Sequence, residues 1–424
     1  MSDAFAIANM LTGARPRAMA ALLRYFRDLD LAEEAYQEAC LRAVHNWPRK
    51  GPPRDPVGWL VFVGRNAAVD GLRRQTRHVA LPAEDVLSDI EDHEAAVVEQ
   101  MDEADYRDDI LRLMFICAHP DLVAAQQVAL ALRIVSGLSV AEIAAAFLAK
   151  EKTIEQRITR AKRKVMAANI PFEAPDAIER AKRLSAVAAM IYLIFNEGYS
   201  ASGGESHIRK SLCDEAIRLG RLLLRLFPSD PEIMGLLALM LLTHARMPAR
   251  LDAAGGIILL EDQDRSLWHT GLITEGIALV EKAARHRAAG FYQLQAAIAA
   301  LHASAKRAED TDWRGIALLY ERLEAVQPSP VVRLNRAVAV FKANDAETAL
   351  MLLEPVEDEL ARYFYSHGVR GALLQELGQK DAAREAFNRA IALARTPAEA
   401  RHIRERLDGL EAMAKKRKRP VSAE

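Results

Sequence analysis

Two runs of apolar residues at helical spacing constrain this chain more than any other feature. They are Val140, Ile143, Ala144 and Phe147, then Ile154, Ile158, Ala161 and Val165. Each run draws one buried stripe along a short helix. Ser139-Val140-Ala141-Glu142 opens the first as a capping box, the Ser139 hydroxyl accepting from the Glu142 amide while the Glu142 carboxylate reaches back. The second stripe leaves Gln156, Arg157, Thr159, Arg160, Lys162, Arg163 and Lys164 facing outward, and Lys150 to Lys164 holds seven Lys/Arg against Glu151 and Glu155. Two short helices, the second basic and docked by a thin apolar stripe, form a helix-turn-helix pattern. An ordinary helical hairpin with a solvated cationic face has the same pattern.

The rest of the chain reads as helical too. Ala and Leu dominate and no alternating strand run of useful length occurs, so the fold class is all-α. A length of 424 residues implies roughly two to four domains with ample core. With Lys+Arg 57 and Asp+Glu 58 the chain is near neutrality, so any contact with nucleic acid must come from local patches. Cys40, Cys117 and Cys213 lie far apart with no CxxC spacing, which suits a reduced cytoplasmic protein and offers no zinc module. No metal or cofactor is expected. The N-terminus lacks a basic-then-apolar signal, and the longest apolar run, Ile233–Leu242, is about half of a membrane span. No membrane partner is expected.

Composition divides the chain into five parts. Residues 1–76 are helical with one Pro-rich loop from Trp47, ending in Asp55-Pro56, an N-cap and N1 pair for the next helix. Residues 77–109 form a connector whose stretch 84–109 holds twelve Asp/Glu against Arg107. Residues 110–170 contain the helix-turn-helix pattern, residues 171–410 a long helical region, and residues 411–424 a basic tail. Within 171–410, Gly371, Ala383, Phe387 and Ala390 have the offsets of a tetratricopeptide unit. A shift of 34 residues lands on Ala337, Ala349, Leu353 and Val356, again small and apolar. Ser304, Ile316, Tyr320, Leu323 and Pro328 fit an earlier unit loosely. Stacked helix pairs share a core and present a surface for a protein partner; generic helical hairpins fit the same residues.

Near the front, Ala32-Glu33-Glu34-Ala35-Tyr36-Gln37-Glu38-Ala39-Cys40-Leu41-Arg42-Ala43 is amphipathic with an acidic outer face. Trp59-Leu60-Val61-Phe62-Val63-Gly64-Arg65-Asn66-Ala67-Ala68-Val69-Asp70-Gly71-Leu72-Arg73-Arg74 begins apolar and ends in cations. These segments and the helix-turn-helix, in this order across an acidic connector, resemble bacterial sigma factors of the sigma-70 family. The resemblance is to the extracytoplasmic-function group, because only regions 2 and 4 are apparent. Phe195-Asn196-Glu197-Gly198-Tyr199, Glu261-Asp262-Gln263-Asp264-Arg265 and Pro330-Val331-Val332-Arg333-Leu334-Asn335-Arg336-Ala337 resemble the subgroup with a tetratricopeptide-like C-terminal extension. One departure stands out: many region-4 turns have Gly and then Ser, where this chain has Leu148 and Lys150, implying a wider turn.

The resemblance implies a protein without covalent chemistry that joins core RNA polymerase and directs it to promoter DNA. Glu33, Glu34, Gln37 and Glu38 would dock on a basic coiled coil of the polymerase. Asn66 and Asp70, one helical turn apart, would take up an unstacked base at the −10 element, with Arg65, Arg73, Arg74 and Arg77 on phosphates. At the −35 element Glu155, Gln156, Thr159 and Arg160 would face bases, while Arg157, Lys162, Arg163 and Lys164 hold the backbone. Negative charge at Asp102, Glu103 and Asp105 would either occupy a nucleic-acid path or keep two basic modules apart. The C-terminal extension would regulate activity, by holding the front modules inactive or by helping to engage polymerase.

Three other functions draw on the same residues. A one-component helix-turn-helix regulator with a repeat sensor leaves the front helices and the acidic connector unexplained. A scaffold of repeats alone leaves the cationic helices unexplained. For an enzyme, Cys117-Ala118-His119-Pro120 is the closest Cys/His proximity, and it lacks a third partner.

Overall fold

The computed structural model of the chain describes residues 3–76, 103–147, 149–167, 177–200, 206–252, 258–287, 289–394 and 400–408 except 402 and 405. The described residues are predominantly helical and contain no β-strand. Arg77, most of the acidic connector, Asp102 and the basic tail lie outside them. The chain forms two compact units, residues 1–201 with 205–222, and residues 202–204 with 223–424. The division at Leu222–Leu223 differs from the expected boundary at 171.

The first unit opens with α1 (Asp3–Phe26), α2 (Leu29–Lys50) and α3 (Pro56–Thr76), each packed on the other two. Asp28 starts α2, its Oδ1 accepting from the Asp30 and Leu31 amides at 2.8 and 3.0 Å. Asp55 starts α3 as the Asp55-Pro56 pair predicts, accepting from the Val57 amide at 2.9 Å. The buried side of α2 carries small residues, Ala32, Ala35, Ala39 and Ala43. That lets α3 come so close that a Cβ on Gly64 would lie 2.7 Å from the Ala35 carbonyl oxygen. Trp47 and Trp59 close one end edge to face, with ring centroids 5.3 Å apart.

α4 (Glu103–Cys117) begins inside the stretch expected to be connector. The reason is periodicity: Ile110, Leu113, Met114 and Cys117 are buried on one face and carry the helix back into the acidic residues. Asp109 is not solvated either; it is buried between Arg24 at 3.3 Å and Arg112 at 3.2 Å, tying α4 to α1. α5 (Ala124–Ala131) then widens into a π turn, Leu132–Ser136, which ends at Gly137 with φ +79°. α6 (Val140–Ala146) and α7 (Glu151–Ala167) are the predicted pair, followed by α8 (Ala177–Ser200) and α9 (Ser206–Leu226). The capping box forms as predicted: the Glu142 amide donates to Ser139 Oγ at 3.1 Å and the Ser139 amide to Glu142 Oε2 at 2.7 Å. α8 packs on α4 and α5, which is why it clusters with the front of the chain. Phe195–Tyr199 lies within α8, with Phe195 stacked between Tyr192 and Tyr199.

The second unit is a succession of packed helices. α10 (Pro231–His244) is buried over most of its length and packs on α11 (Thr270–Ala284) and α12 (Phe291–Ser304). Glu232 serves the start of α12, accepting from the Tyr292 and Gln293 amides at 3.0 and 3.1 Å. Arg265, from the acidic phrase singled out in the sequence, serves its end, donating to the His302 and Ala305 carbonyls at 2.6 and 2.7 Å. α13 (Trp313–Val326) meets α14 (Pro330–Lys342), where Arg333 and Arg336 both pair with Glu324. α15 (Ala346–Leu353) packs on α14, and α16 (Phe364–Glu376) on α17 (Lys380–Leu393). The offsets read from the sequence land in the core: Ala337, Ala349, Leu353 and Val356 share one cluster, and Ala383, Phe387 and Ala390 another. A Cβ on Gly371 would lie 2.5 Å from the Phe387 ring, so the missing side chain is what admits the aromatic. Ser304 of the loosely fitting unit is exposed.

Two stability outcomes follow. Gly64→Val forces α2 and α3 apart and is expected to cost about 1–3 kcal/mol, whereas Gly13→Ala, in open space within α1, should be neutral or stabilising by up to roughly 1 kcal/mol; thermal unfolding of both variants checks the pair. Phe387→Ala is expected to cost about 3–5 kcal/mol, read as lost amide-exchange protection in α16 and α17.

Candidate nucleic-acid interface

The site is built on three helices of the first unit. On α7, Ile154, Ile158, Ala161 and Val165 are buried, so the opposite side is presented outward by geometry alone. Glu155, Gln156, Thr159, Arg160 and Arg163 are exposed, and Arg157 is half-buried. Residues at positions 155, 156, 159 and 160 fall on adjacent turns, which gives one continuous polar strip. The turn before α7 runs from Phe147 to Lys150; the Ala149 amide donates to the Ala144 carbonyl at 2.9 Å, and the Lys150 carbonyl accepts from Thr153 and Ile154.

The remaining cations of α7 behave differently. Lys164 Nζ donates to the Asp121 carbonyl at 3.0 Å. Lys162 was expected among the outward backbone contacts, yet it is held by Asp30 at 2.6 Å and Glu33 at 2.9 Å. Burial pulls Lys162 down, but the hydrogen bonds it donates to Asp30 and Glu33 outweigh that and leave its pKa above the ordinary lysine value.

On α3, Arg65 and Asn66 are both exposed. The Arg65 guanidinium lies 4.3 Å from the centroid of the Tyr25 ring, a cation–π contact that holds it against α1. Asp70, Arg73 and Arg74 fall on the last turns of α3, and their side chains are outside the described set; Arg77 lies beyond the helix. Glu103 and Asp105 belong to the first turn of α4.

On α2, Glu34 and Gln37 are exposed, and Glu38 pairs with Arg42 at 3.0 Å. Glu33 differs from the outward carboxylate expected of an acidic face: it is 6% exposed. Three cations from three elements surround it. Arg133 of the π turn is 2.5 Å away, Lys162 of α7 is 2.9 Å, and Arg15 of α1 is 4.0 Å. Gln37 Nε2 donates to it at 3.3 Å. Arg15 also donates to the Ile134 and Arg133 carbonyls at 3.1 and 3.0 Å, satisfying groups that the π turn leaves open, and lies 4.7 Å from the Tyr36 ring centroid. Gly137 leaves space for it: a Cβ there would lie 2.6 Å from Arg15 Cδ. Sequence reasoning missed Arg15, Asp30 and Arg133. They are isolated charges with no periodic or motif signal, and only the packing of α1 and α2 on α7 and the π turn brings them together.

The Cys117/His119 pair divides in space. Cys117 is fully buried, its thiol pushed up to about 12 by burial, while His119 Nδ1 accepts from the Asp121 amide at 3.2 Å. Among the described residues no group of three His, Cys, Asp or Glu is placed to hold a metal ion, and no helix is long and apolar enough to cross a membrane.

Comparison with known proteins matches these parts separately. Residues 11–78, spanning α1 to α3, match sigma-70 region 2. Residues 112–165, spanning α4 to α7, match sigma-70 region 4. Residues 183–284 match a family of unknown function (DUF6596). An uncharacterized protein of Rhizobium meliloti (strain 1021) is 62% identical over 412 residues, covering 97% of both chains. With both DNA-handling regions of that family present, and the polar strip of the helix-turn-helix turned outward, the chain belongs to the sigma-70 family of sigma factors, which recognise promoters in transcription initiation.

Proposed function

We propose that this chain is a sigma factor of the extracytoplasmic-function type that contacts a promoter through α3 at the −10 element and through α7 at the −35 element. The observation that carries the reading is α7 itself: all four stripe residues are buried while Glu155, Gln156, Thr159 and Arg160 are exposed on one strip. A helix of this kind fits the major groove, where Arg160 suits guanine, Gln156 adenine and Glu155 a cytosine amine. Arg157 and Arg163 suit phosphates. Asn66, exposed on α3, suits a base edge of the separated strand, with Asp70 one turn on and Arg65, Arg73, Arg74 and Arg77 along its backbone. Glu34, Gln37 and Glu38, with Glu33, suit a basic coiled coil of the polymerase. The α13–α17 region, with small residues at the helix contacts and an aromatic at Phe387, supports a tetratricopeptide-like domain that regulates the front unit, and its surface suits a protein partner.

Run-off transcription with core polymerase tests the whole. Transcripts that start equally well without the chain would reject it. Arg160→Ala should lower discrimination between the cognate −35 sequence and a variant by about 1–3 kcal/mol. Arg163→Ala should instead weaken binding evenly across sequences and reduce the salt slope by about 1. Asn66→Ala should leave closed-complex formation intact and reduce strand opening, read by permanganate footprinting. For the regulatory reading, the full chain is compared with one ending at Phe227, which retains α8 and α9; equal activity from both would reject it.

A further inference from the structure

The second unit gathers, in one place, nitrogen groups that no described residue pairs. Arg246 follows the end of α10, and Arg265 and Trp268 belong to the short turn before α11. His302 lies in the last turn of α12, and Trp313 opens α13. Arg265 draws these elements together: its Nη1 donates to the His302 and Ala305 carbonyls, and its guanidinium carbon lies 4.7 Å from the centroid of the Trp268 ring. The His302 ring stands edge to face against Trp313, with centroids 5.1 Å apart.

Three buried nitrogens of this cluster have no hydrogen-bond partner: Arg265 Nε, Trp268 Nε1 and His302 Nδ1. The first two can only donate, and Nδ1 donates in one tautomer. Trp268 is 4% exposed, and an indole N–H this deeply buried ordinarily finds an acceptor. Gln263 Oε1 is unpartnered too, but that side chain serves the Ile258 carbonyl, which its Nε2 reaches at 3.1 Å.

Charge is as one-sided as hydrogen bonding. Neither Arg246 nor Arg265 pairs with a carboxylate among the described residues, and Arg246 lies close enough to Arg265 to depress it as a like charge. Glu309 and Asp310, the carboxylates that act on Arg265, are engaged by Arg307 at 3.7 and 2.8 Å. Burial first, then Arg246 and Arg265, push the His302 imidazole down to about 4, so it is neutral at pH 7. Capping of α12 accounts for Arg265 Nη1 alone; it leaves Arg265 Nε, Trp268 Nε1 and the Arg246 guanidinium without a purpose. A small oxyanion supplies what is missing, acceptor oxygens and negative charge, and the planar fork of a guanidinium matches both carboxylate and phosphate. Arg246, Arg265 and His302 are half-buried, which leaves an approach from solvent.

We propose that the Arg246/Arg265/Trp268/His302 cluster is a binding site for a small oxyanion, the carboxylate or phosphate group of an acidic small molecule. The two guanidiniums hold the charge, the Trp268 indole N–H fixes the orientation, and His302 adds a further donor. All four residues belong to the second unit, so the site stands independently of how the first unit handles DNA.

Intrinsic fluorescence of the full chain tests this, because Trp268 and Trp313 are two of its four tryptophans. The chain is titrated with sodium phosphate and, separately, with sodium acetate, at an ionic strength held constant with sodium chloride. At least one probe should give a saturable change by on the order of 10 mM, as a millimolar dissociation constant requires. Saturation by phosphate alone assigns a phosphate ligand, and saturation by acetate a carboxylate. Arg246→Gln should weaken binding about tenfold or more and leave thermal unfolding of the free chain unchanged, since that guanidinium has no partner to lose; Arg246→Lys should retain part of the affinity. On saturation the His302 ring, its resonance assigned with His302→Gln, should titrate at a pH higher by about 1–3 because an anion now faces it. No saturable change with either probe, a change that chloride reproduces, or an Arg246→Gln chain that binds as tightly as the parent overturns the proposal.

Discussion

A carboxylate withdrawn from water demands cations, and Glu33 draws on three elements to obtain them. Arg15, Arg133 and Lys162 come from α1, the π turn and α7, so one buried charge fixes how the first three helices sit against the helix-turn-helix. Arg15 extends the constraint, because its remaining donors go to the carbonyls that the π turn cannot satisfy internally. The π turn in turn needs Gly137 at φ +79°, where a side chain would be strained and would strike Arg15. Local backbone geometry and long-range electrostatics are thus parts of one arrangement.

Buried ion pairs contribute little net stability, since desolvation offsets much of the attraction, but they are costly to break singly. That combination suits a contact that specifies one packing arrangement. Apolar packing holds α7 to α5 and α6, and charge holds that module to α2. Stripes of Ile, Ala and Val build the helix-turn-helix, and carboxylates with Lys or Arg add to the packing of α1 on α4 and the π turn where the two parts meet. The second unit follows a different logic. Its hairpins are joined by small-against-large packing, as at Gly371 and Phe387, and its helix ends by side-chain caps such as Glu232 and Arg265.

Much of this was legible in the sequence. The stripes on α6 and α7, the capping box at Ser139 and the Asp55-Pro56 start of α3 all depend on residues near one another in the chain, and each appears as read. The exposed strip at Glu155, Gln156, Thr159 and Arg160 follows directly from the buried one. The misreadings share a cause. α4 starts within the acidic stretch because apolar spacing at Ile110, Leu113 and Met114 outweighs local charge. Glu33 and Lys162 looked solvated because a charged residue on an amphipathic helix usually is, and they meet across 129 residues of chain, with Asp30 132 residues from Lys162.

The sequence alone determined the all-helical class, the apolar stripes of α6 and α7 and the order of the two sigma regions, because periodicity, capping and turn chemistry act over a few residues. Tertiary structure alone decided that α8 and most of α9 cluster with the front of the chain, that Asp109 is a buried tie, and that Asp30 and Glu33 face Arg133 and Lys162. Which charges meet depends on how whole helices pack, and no local pattern encodes that.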